Sequence, residues 1–294
     1  MNTLPTLAII GPGKVGTSMG ILATHAGYPV VAIGGRHRAS TAAAAQRIGK
    51  DVRACDIAEA PQLAQIVLIC VPDDVIEDVC TKLAHQKKFA KEAIILHCSG
   101  VLSSDILSTA RDYCKCSVAS MHPLQTFPTI DATIEKIKGA YCFYEGDEAA
   151  IHVIEHLAKN IGLKPVRISS TSKILYHAAA VMACNYLVAL MDSAITLAEN
   201  AGIDRTTAWL SLKPLVTATL DNITKIGTVD SLTGPIARGD TKTIARHLHE
   251  LTLKDEGLTA MYRTMGLYTA GIAVKKGTIT AEKAKKIKSL LKAS

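Results

Sequence analysis

Gly11, Gly13 and Gly16 stand in the spacing Gly-x-Gly-x-x-Gly, between an apolar run from Leu7 to Ile10 and an amphipathic run that begins at Lys14. In that setting each glycine has a job at a phosphate site. The first allows a tight turn, the second leaves no Cβ in the way of a pyrophosphate, and the third lets the helix pack closely on the strand. The helix N-terminus then turns free N–H groups and a partial positive charge toward the phosphates. The contacts expected with a dinucleotide run through Gly11, Pro12, Gly13, Lys14, Val15 and Gly16. A glycine turn without any ligand is the alternative reading.

A second apolar run, Pro29 to Ile33, leads into Gly34, Gly35 and Arg36. A site for NAD usually carries Asp or Glu here, to hydrogen-bond the ribose 2′-hydroxyl. This chain has no carboxylate side chain before Asp51 and offers Arg36, His37, Arg38 and Ser40 instead. Cations and hydroxyls suit a 2′-phosphate, and the Arg36 guanidinium can also stack on adenine. The expected cofactor is NADP(H), held here by Gly35, Arg36 and Arg38. Val71 and Pro72 are expected beside the nicotinamide ribose, where Val71-Pro72-Asp73-Asp74 follows another strand-like run.

Proton chemistry points to Ser172-Lys173-Ile174-Leu175-Tyr176-His177. Lys173 and His177 are four apart, so on a helix they share a face. Asn185 lies eight beyond His177, about 80° further round an ideal helix. Polar groups on a helix otherwise rich in Ala, Val and Leu are costly to bury without partners, and a wet cleft would remove that cost. Ser99, in the run His97-Cys98-Ser99-Gly100, hydrogen-bonds substrate or the nicotinamide amide, or is a simple N-cap for the following helix. His122, in Met121-His122-Pro123, meets an anionic substrate or is a buried histidine with a backbone partner. In the segment Thr233 to Asp240, read as a compact loop, Arg238 offers a fork for a carboxylate, while Asp240 orients it or caps the helix from Thr241.

The elements that must position these groups change character along the chain. Strand-like runs at Leu7–Ile10, Pro29–Ile33, Gln65–Val71, Ala93–Cys98, Ser117–Met121, Ala140–Tyr144 and Pro165–Ile168 alternate with helical segments, which predicts a mainly parallel sheet. Beyond Ser172, Ala- and Leu-rich stretches of helical period dominate: Ile174–Ala201, Thr206–Ile226, Thr241–Ala273 and Ala281–Ala293. The fold class expected is α/β, a Rossmann-type sheet over residues 1–170 followed by an all-helical domain over 171–294. The boundary near Ser169 to Ser172 has no low-complexity linker, so a tight junction with a cleft is expected.

Composition sets the class. The 294 residues suffice for two cores. Eight cysteines form no C-x-x-C pair, and the residues ahead of Leu7 carry no signal-peptide pattern, so a reducing cytoplasm is expected. Cys114-Lys115-Cys116 lacks partner ligands, and no metal is expected. The stretch Ala178 to Leu190, interrupted by Asn185, is too short to cross a bilayer, so a soluble protein is expected. The net charge is +7, and residues 275–292 hold seven lysines against one glutamate. Aromatics to stack bases are missing there, which argues for a solvated helix face and against a nucleic-acid partner.

Taken together, the Gly11–Gly16 turn, VPDD, HCSG, HPLQTF, the KxxYHAAA stretch with Asn185 beyond it, and GPIARGD resemble a family of NADP-dependent oxidoreductases. Its members carry a Rossmann-like first domain and a helical second domain of largely unassigned function. They are similar to ketopantoate reductase, pyrroline-5-carboxylate reductase and prephenate dehydrogenase. In ketopantoate reductases a lysine opening the interdomain helix donates the proton and an asparagine follows four residues on. Lys173 matches that lysine, and His177 stands in the asparagine's place.

The resemblance implies an NADPH-dependent reductase of a small anionic carbonyl compound, such as the 2-oxo acid ketopantoate. Lys173 would supply the proton, His177 would relay protons or hold Lys173, and Arg238 would hold the carboxylate. By analogy, a homodimer is implied. An imine reductase of the pyrroline-5-carboxylate type and a non-catalytic NADP(H) sensor are the alternatives. One prediction concerns the second strand. NADPH is expected to bind at least tenfold more tightly than NADH, about 1.4 kcal/mol, with Arg36→Asp shrinking or inverting the preference. Titration of both cofactors checks this, and equal dissociation constants in the wild type would remove the reading.

Overall fold

The computed structural model describes residues 4–292, and contacts divide the chain into two units, one ending at Ala183 and one beginning at Cys184. Unit 1 is an eight-stranded sheet. Its strands are β1 (Leu7–Ile10), β2 (Val30–Gly34), β3 (Arg53–Cys55), β4 (Ile66–Ile69), β5 (Ile94–His97), β6 (Ser117–Pro123), β7 (Tyr141–Gly146) and β8 (Lys164–Arg167), in the order β3-β2-β1-β4-β5-β6-β7-β8. Only the β6–β7 pairing is antiparallel.

Alternation along the strands feeds two cores. Leu7 and Ile9 of β1 and Leu68 of β4 join Met19 and Leu22 of α1 (Lys14–His25) and Ile151, Ile154 and Leu157 of α6 (Glu148–Asn160). On the other face Ile10, Val67 and Ile69 pack with Ile76, Cys80 and Leu83 of α3 (Ile76–His85). Side chains of period two on a sheet covered on both faces give the near-continuous apolar strands read from the sequence. The order reverses between β1 and β4, the switch point at which such sheets open a crevice at their carboxyl edge.

β3 was not expected, because Arg53-Ala54-Cys55 is too short and too polar to show a period. The expected domain break at 170 and 171 also moves, to follow Ala183. Helix α7 (Lys173–Ala183) groups with the sheet because Lys173 is buried among sheet residues of unit 1.

Unit 2 is helical. Its core is built by α10 (Gly234–Arg238), α11 (Thr241–Thr252), α12 (Glu256–Lys276) and α13 (Ala281–Lys292), around Ile236, Ile244, Leu248, Ala270, Ala273, Ile287 and Leu291. The stretch expected as one helix from Thr241 to Ala273 is two, because Asp255 accepts from the Leu258 N–H at 2.9 Å and starts α12 afresh. The segment expected as a loop before Asp240 contains the short α10, closed by Gly239 in the left-handed conformation.

The helices α8 (Asn185–Asn200) and α9 (Arg205–Asp230) differ from these: α8 has no buried residue among those described and α9 has only Ala208. The periodic stretch expected to stop at Ile226 meets Gly227, at φ +80°, and resumes to Asp230. Helical residues Ser170–Asn200 also form one stretch long and apolar enough to cross a membrane by length and composition, which corrects the expectation that this region is too short. Lys173, near the start of that stretch, is buried with its ammonium hydrogen-bonded to Ser99 and Ser120 of unit 1.

Candidate functional site

The turn after β1 is closed tightly against β4. Gly11 sits at φ +109°, and a Cβ there would lie 2.3 Å from the Cys70 carbonyl oxygen. A Cβ on Gly16 would lie 2.1 Å from the Gly11 oxygen, so the helix can approach the turn only with glycine at this position. Gly13 is the opposite case. It is exposed, with nothing within 4 Å of a Cβ, and it N-caps α1 without a side-chain hydrogen bond. The first turn of α1 has no acidic residue, so its N–H groups face open space with the helix dipole unopposed. This is a cradle shaped for a phosphate, and its residues fit a dinucleotide's pyrophosphate.

Beside it lies a hollow of about 530 Å³ lined by Gly35, Arg36, Arg38, Thr41, Arg53 and Glu59, among others. Arg53 comes from β3 and was missed in the sequence with that strand. Its guanidinium pairs with Glu59 at 2.6 Å, and Asp56 in the same lining accepts from the Ala58 N–H at 2.9 Å. Both carboxylates of the hollow therefore have partners, while the described ion pairs include neither Arg36 nor Arg38.

The third group collects at the carboxyl ends of β5 and β6. Lys173 is 2% exposed, and its Nζ donates to the Ser99 carbonyl at 2.9 Å and to Ser120 Oγ, with Glu145 Oε1 at 4.0 Å. Glu145 is itself fixed by the Ser104 N–H and hydroxyl, each at 2.8 Å. Burial pulls the Lys173 ammonium below the usual lysine range, and the Glu145 carboxylate opposes that shift. His97 accepts from the Ser99 N–H on Nδ1 at 3.1 Å, which leaves Nε2–H to donate to the Ser103 carbonyl at 3.2 Å. Burial and the Lys173 charge push its pKa down to about 4. His122 is pushed to about 4 by burial, by Lys173 and by His177, and its Nδ1 lies 2.7 Å from the Tyr176 hydroxyl.

Lys173 and His177 do share a face of α7. His177 packs 6.1 Å from the His122 ring, and Tyr176, which the sequence reading passed over, joins them. The i, i+3 spacing from Lys173 was the signal that could have found it. Ser99 starts no helix; its side chain closes a local turn. Its hydroxyl donates to Asp73 at 2.7 Å and accepts from the N–H groups of Val101 and Leu102, so the Ser99 carbonyl, holding Lys173, is what matters here. Val71 and Pro72 lead into the turn that presents Asp73, and Val71 borders Gly11. Asn185 is exposed and opens α8 in unit 2, past Cys184, where the helix is interrupted. Arg238 is exposed at the end of α10, and Asp240 caps α11 through the Thr243 N–H at 3.0 Å.

Two family models match the chain: a Rossmann-like domain over residues 3–123 and DUF2520, a domain of unknown function, over 140–269. Lys173, Tyr176, His177, Asn185 and Arg238 all fall in the DUF2520 segment, and the glycine cradle and His122 fall in the Rossmann-like one. No curated protein matches the sequence. Among solved structures, protein TM1727 from Thermotoga maritima is 27% identical, with a TM-score of 0.71 over 92% of this chain and 99% of its own. A protein named as an NADP oxidoreductase from Bacteroides fragilis is 20% identical, with a TM-score of 0.72 over 92% and 98%. The pyrroline carboxylate reductase of Plasmodium falciparum, solved with NADP bound, is 13% identical, with a TM-score of 0.58 over 98% of each chain. Rossmann-like sheet followed by helical domain is the fold these share.

The buried histidines set a pH dependence. Each keeps its neutral form in the fold but binds a proton near pH 6.5 when unfolded, so the unfolded chain gains protons first as pH falls. Their contribution to stability is then flat above about pH 6.5 and drops between 6.5 and 4, each histidine removing about 1.4 kcal/mol for every pH step of one in that window. Thermal midpoints measured across this window should fall less steeply in His122→Gln than in wild type. Identical slopes in the two proteins would show that His122 does not titrate this way.

Proposed function

We propose that this protein is a cytoplasmic, NADPH-dependent reductase of a small anionic carbonyl compound, with a 2-oxo acid such as ketopantoate as the type. The observation that carries the reading is the buried Lys173 ammonium at the carboxyl edge of the same sheet that carries the open phosphate cradle and the arginine hollow. The names of two proteins of the same fold, an NADP oxidoreductase and a pyrroline carboxylate reductase with NADP bound, support that cofactor.

Gly13 and the α1 N-terminus would receive the pyrophosphate, and Arg36 and Arg38 the 2′-phosphate, with Arg53 available in the same hollow. Bound there, the dinucleotide supplies a hydride to the carbonyl carbon. The chain's own part is electrostatic. Lys173 holds a fixed positive charge in a water-poor edge, where it favours the negative charge that grows on the carbonyl oxygen. Arg238 is assigned to the substrate carboxylate by its residue type and sequence context. The eight free cysteines among the described residues, Cys184 exposed, suit the reducing cytoplasm.

An imine of the pyrroline-carboxylate type is a second reading, favoured by one feature: the Lys173 donors are already engaged, and a protonated imine needs none of them.

The test is NADPH oxidation by cofactor-saturated protein against a panel of 2-oxo acids and cyclic imines. Turnover of 2-oxo acids is expected, with Lys173→Ala lowering it roughly a hundredfold while NADPH affinity stays nearly intact. A panel of imines alone turned over would select the second reading, and wild-type turnover in Lys173→Ala would remove the lysine from the chemistry.

The homodimer is proposed on unit 2. Tyr186 and Val188 of α8 and Leu210, Leu215 and Ile226 of α9 are 55–68% exposed, while Arg205 on the same pair is satisfied by Asp192 and Glu199. A pair of helices with this much exposed apolar surface suits a second copy of itself. Light scattering should give a dimer, and Leu215→Glu a monomer; a monomeric wild type would leave these helices without that partner.

A further inference from the structure

We propose that Tyr176, backed by His122, gives the proton to the reduced carbonyl oxygen, with Lys173 acting through its charge. This rests on the reductase reading above and assigns a residue to it that neither the lysine nor the resemblance suggests.

Lys173 is sealed: its ammonium donates to the Ser99 carbonyl and to Ser120 Oγ, and the Glu145 carboxylate faces its charge at 4.0 Å. Giving up that proton would strand Glu145 in the interior. The Ser99 hydroxyl donates to Asp73, and the fully buried Ser120 hydroxyl points to the Ser99 carbonyl at 3.5 Å. His97 spends its N–H on Ser103. The Tyr176 hydroxyl is different: the residue is partly exposed, and its hydrogen-bond partner is one imidazole nitrogen, which can accept its proton or donate to its oxygen.

The phenol is also held in place. Its ring lies 4.3 Å from Phe143 and meets the His122 ring edge-on at 5.6 Å. Gly100 closes the other side: a Cβ there would come within 2.5 Å of His177 Cδ2 and 2.9 Å of His122 Nε2. The backbone of the HCSG turn therefore lies against both imidazoles. Burial keeps the phenol protonated well above neutral pH, and His122 stays neutral, so its Nδ1 carries a proton only in one of two tautomers.

The step balances as follows. A hydride from a dihydronicotinamide forms the new C–H bond, and the carbonyl π pair moves onto oxygen. That oxygen takes the Tyr176 O–H proton. The phenolate takes the Nδ1 proton of His122, and Nε2 takes one from water. The ketone is reduced, the dihydronicotinamide is oxidised, and one proton is drawn from solvent.

Two measurements test this. With a carbonyl substrate that wild type reduces, Tyr176→Phe keeps the ring packing and is expected to lower kcat at least thirtyfold without weakening NADPH binding. In cofactor-free protein, the ¹⁵N shifts of the His122 ring are expected to report the Nδ1–H tautomer, which a merely structural contact would not require. A Tyr176→Phe kcat within threefold of wild type overturns the proposal, and so does an Nε2–H tautomer, in which the phenol's proton is spent on His122. A wild type inert toward the whole panel removes the reductase reading and this proposal together; an active wild type with an unaffected Tyr176→Phe removes the proposal alone.

Discussion

A lysine ammonium taken out of water governs this structure. Moving such a charge into a protein interior costs several kcal/mol unless its donors are met. Here the cost is offset by two hydrogen-bond acceptors, the Ser99 carbonyl after β5 and Ser120 on β6, and by the opposite charge of Glu145 on β7. Glu145 in turn requires the Ser104 N–H and hydroxyl. The first residue of α7 is thereby tied to strands far from it in sequence, which is why that helix groups with the sheet and not with the helices that follow.

The same charge tunes its surroundings. His97 and His122 are held neutral by burial together with the positive field of Lys173. Tyr176 remains a phenol. An edge built this way has one buried lysine and several neutral groups able to pass protons, and at the same edge the cradle at Gly13 offers N–H groups without a side-chain cap. Fixed dipoles and charges that need no reorganisation are what a site for hydride transfer to a carbonyl demands.

Unit 2 obeys a different constraint. Its core closes around α10 to α13, each helix started or stopped by a definite signal such as Asp240, Asp255 or Gly239. The α8 and α9 helices are apolar enough to need cover and obtain almost none within the chain. Among the described residues, Tyr186, Val188, Leu210 and Leu215 of this pair stay exposed.

Much of this was legible in the residues. The glycine spacing specified the turn because only glycine tolerates the Gly11 dihedral and the Gly16 contact, both local demands. The strands appeared because burial on both faces makes them continuously apolar, and Asp240 appeared as a cap because capping spans three residues. Lys173 and His177 were paired correctly by helical spacing, but three matters were decided only by the tertiary structure. β3 and with it Arg53 had no periodic signal in three residues. The break at Cys184 separated Asn185 from the face that ideal helical geometry assigned to it. The acceptors of Lys173, and the partnership of Tyr176 with His122 across 54 positions of sequence, arise from strand order, which no local pattern encodes.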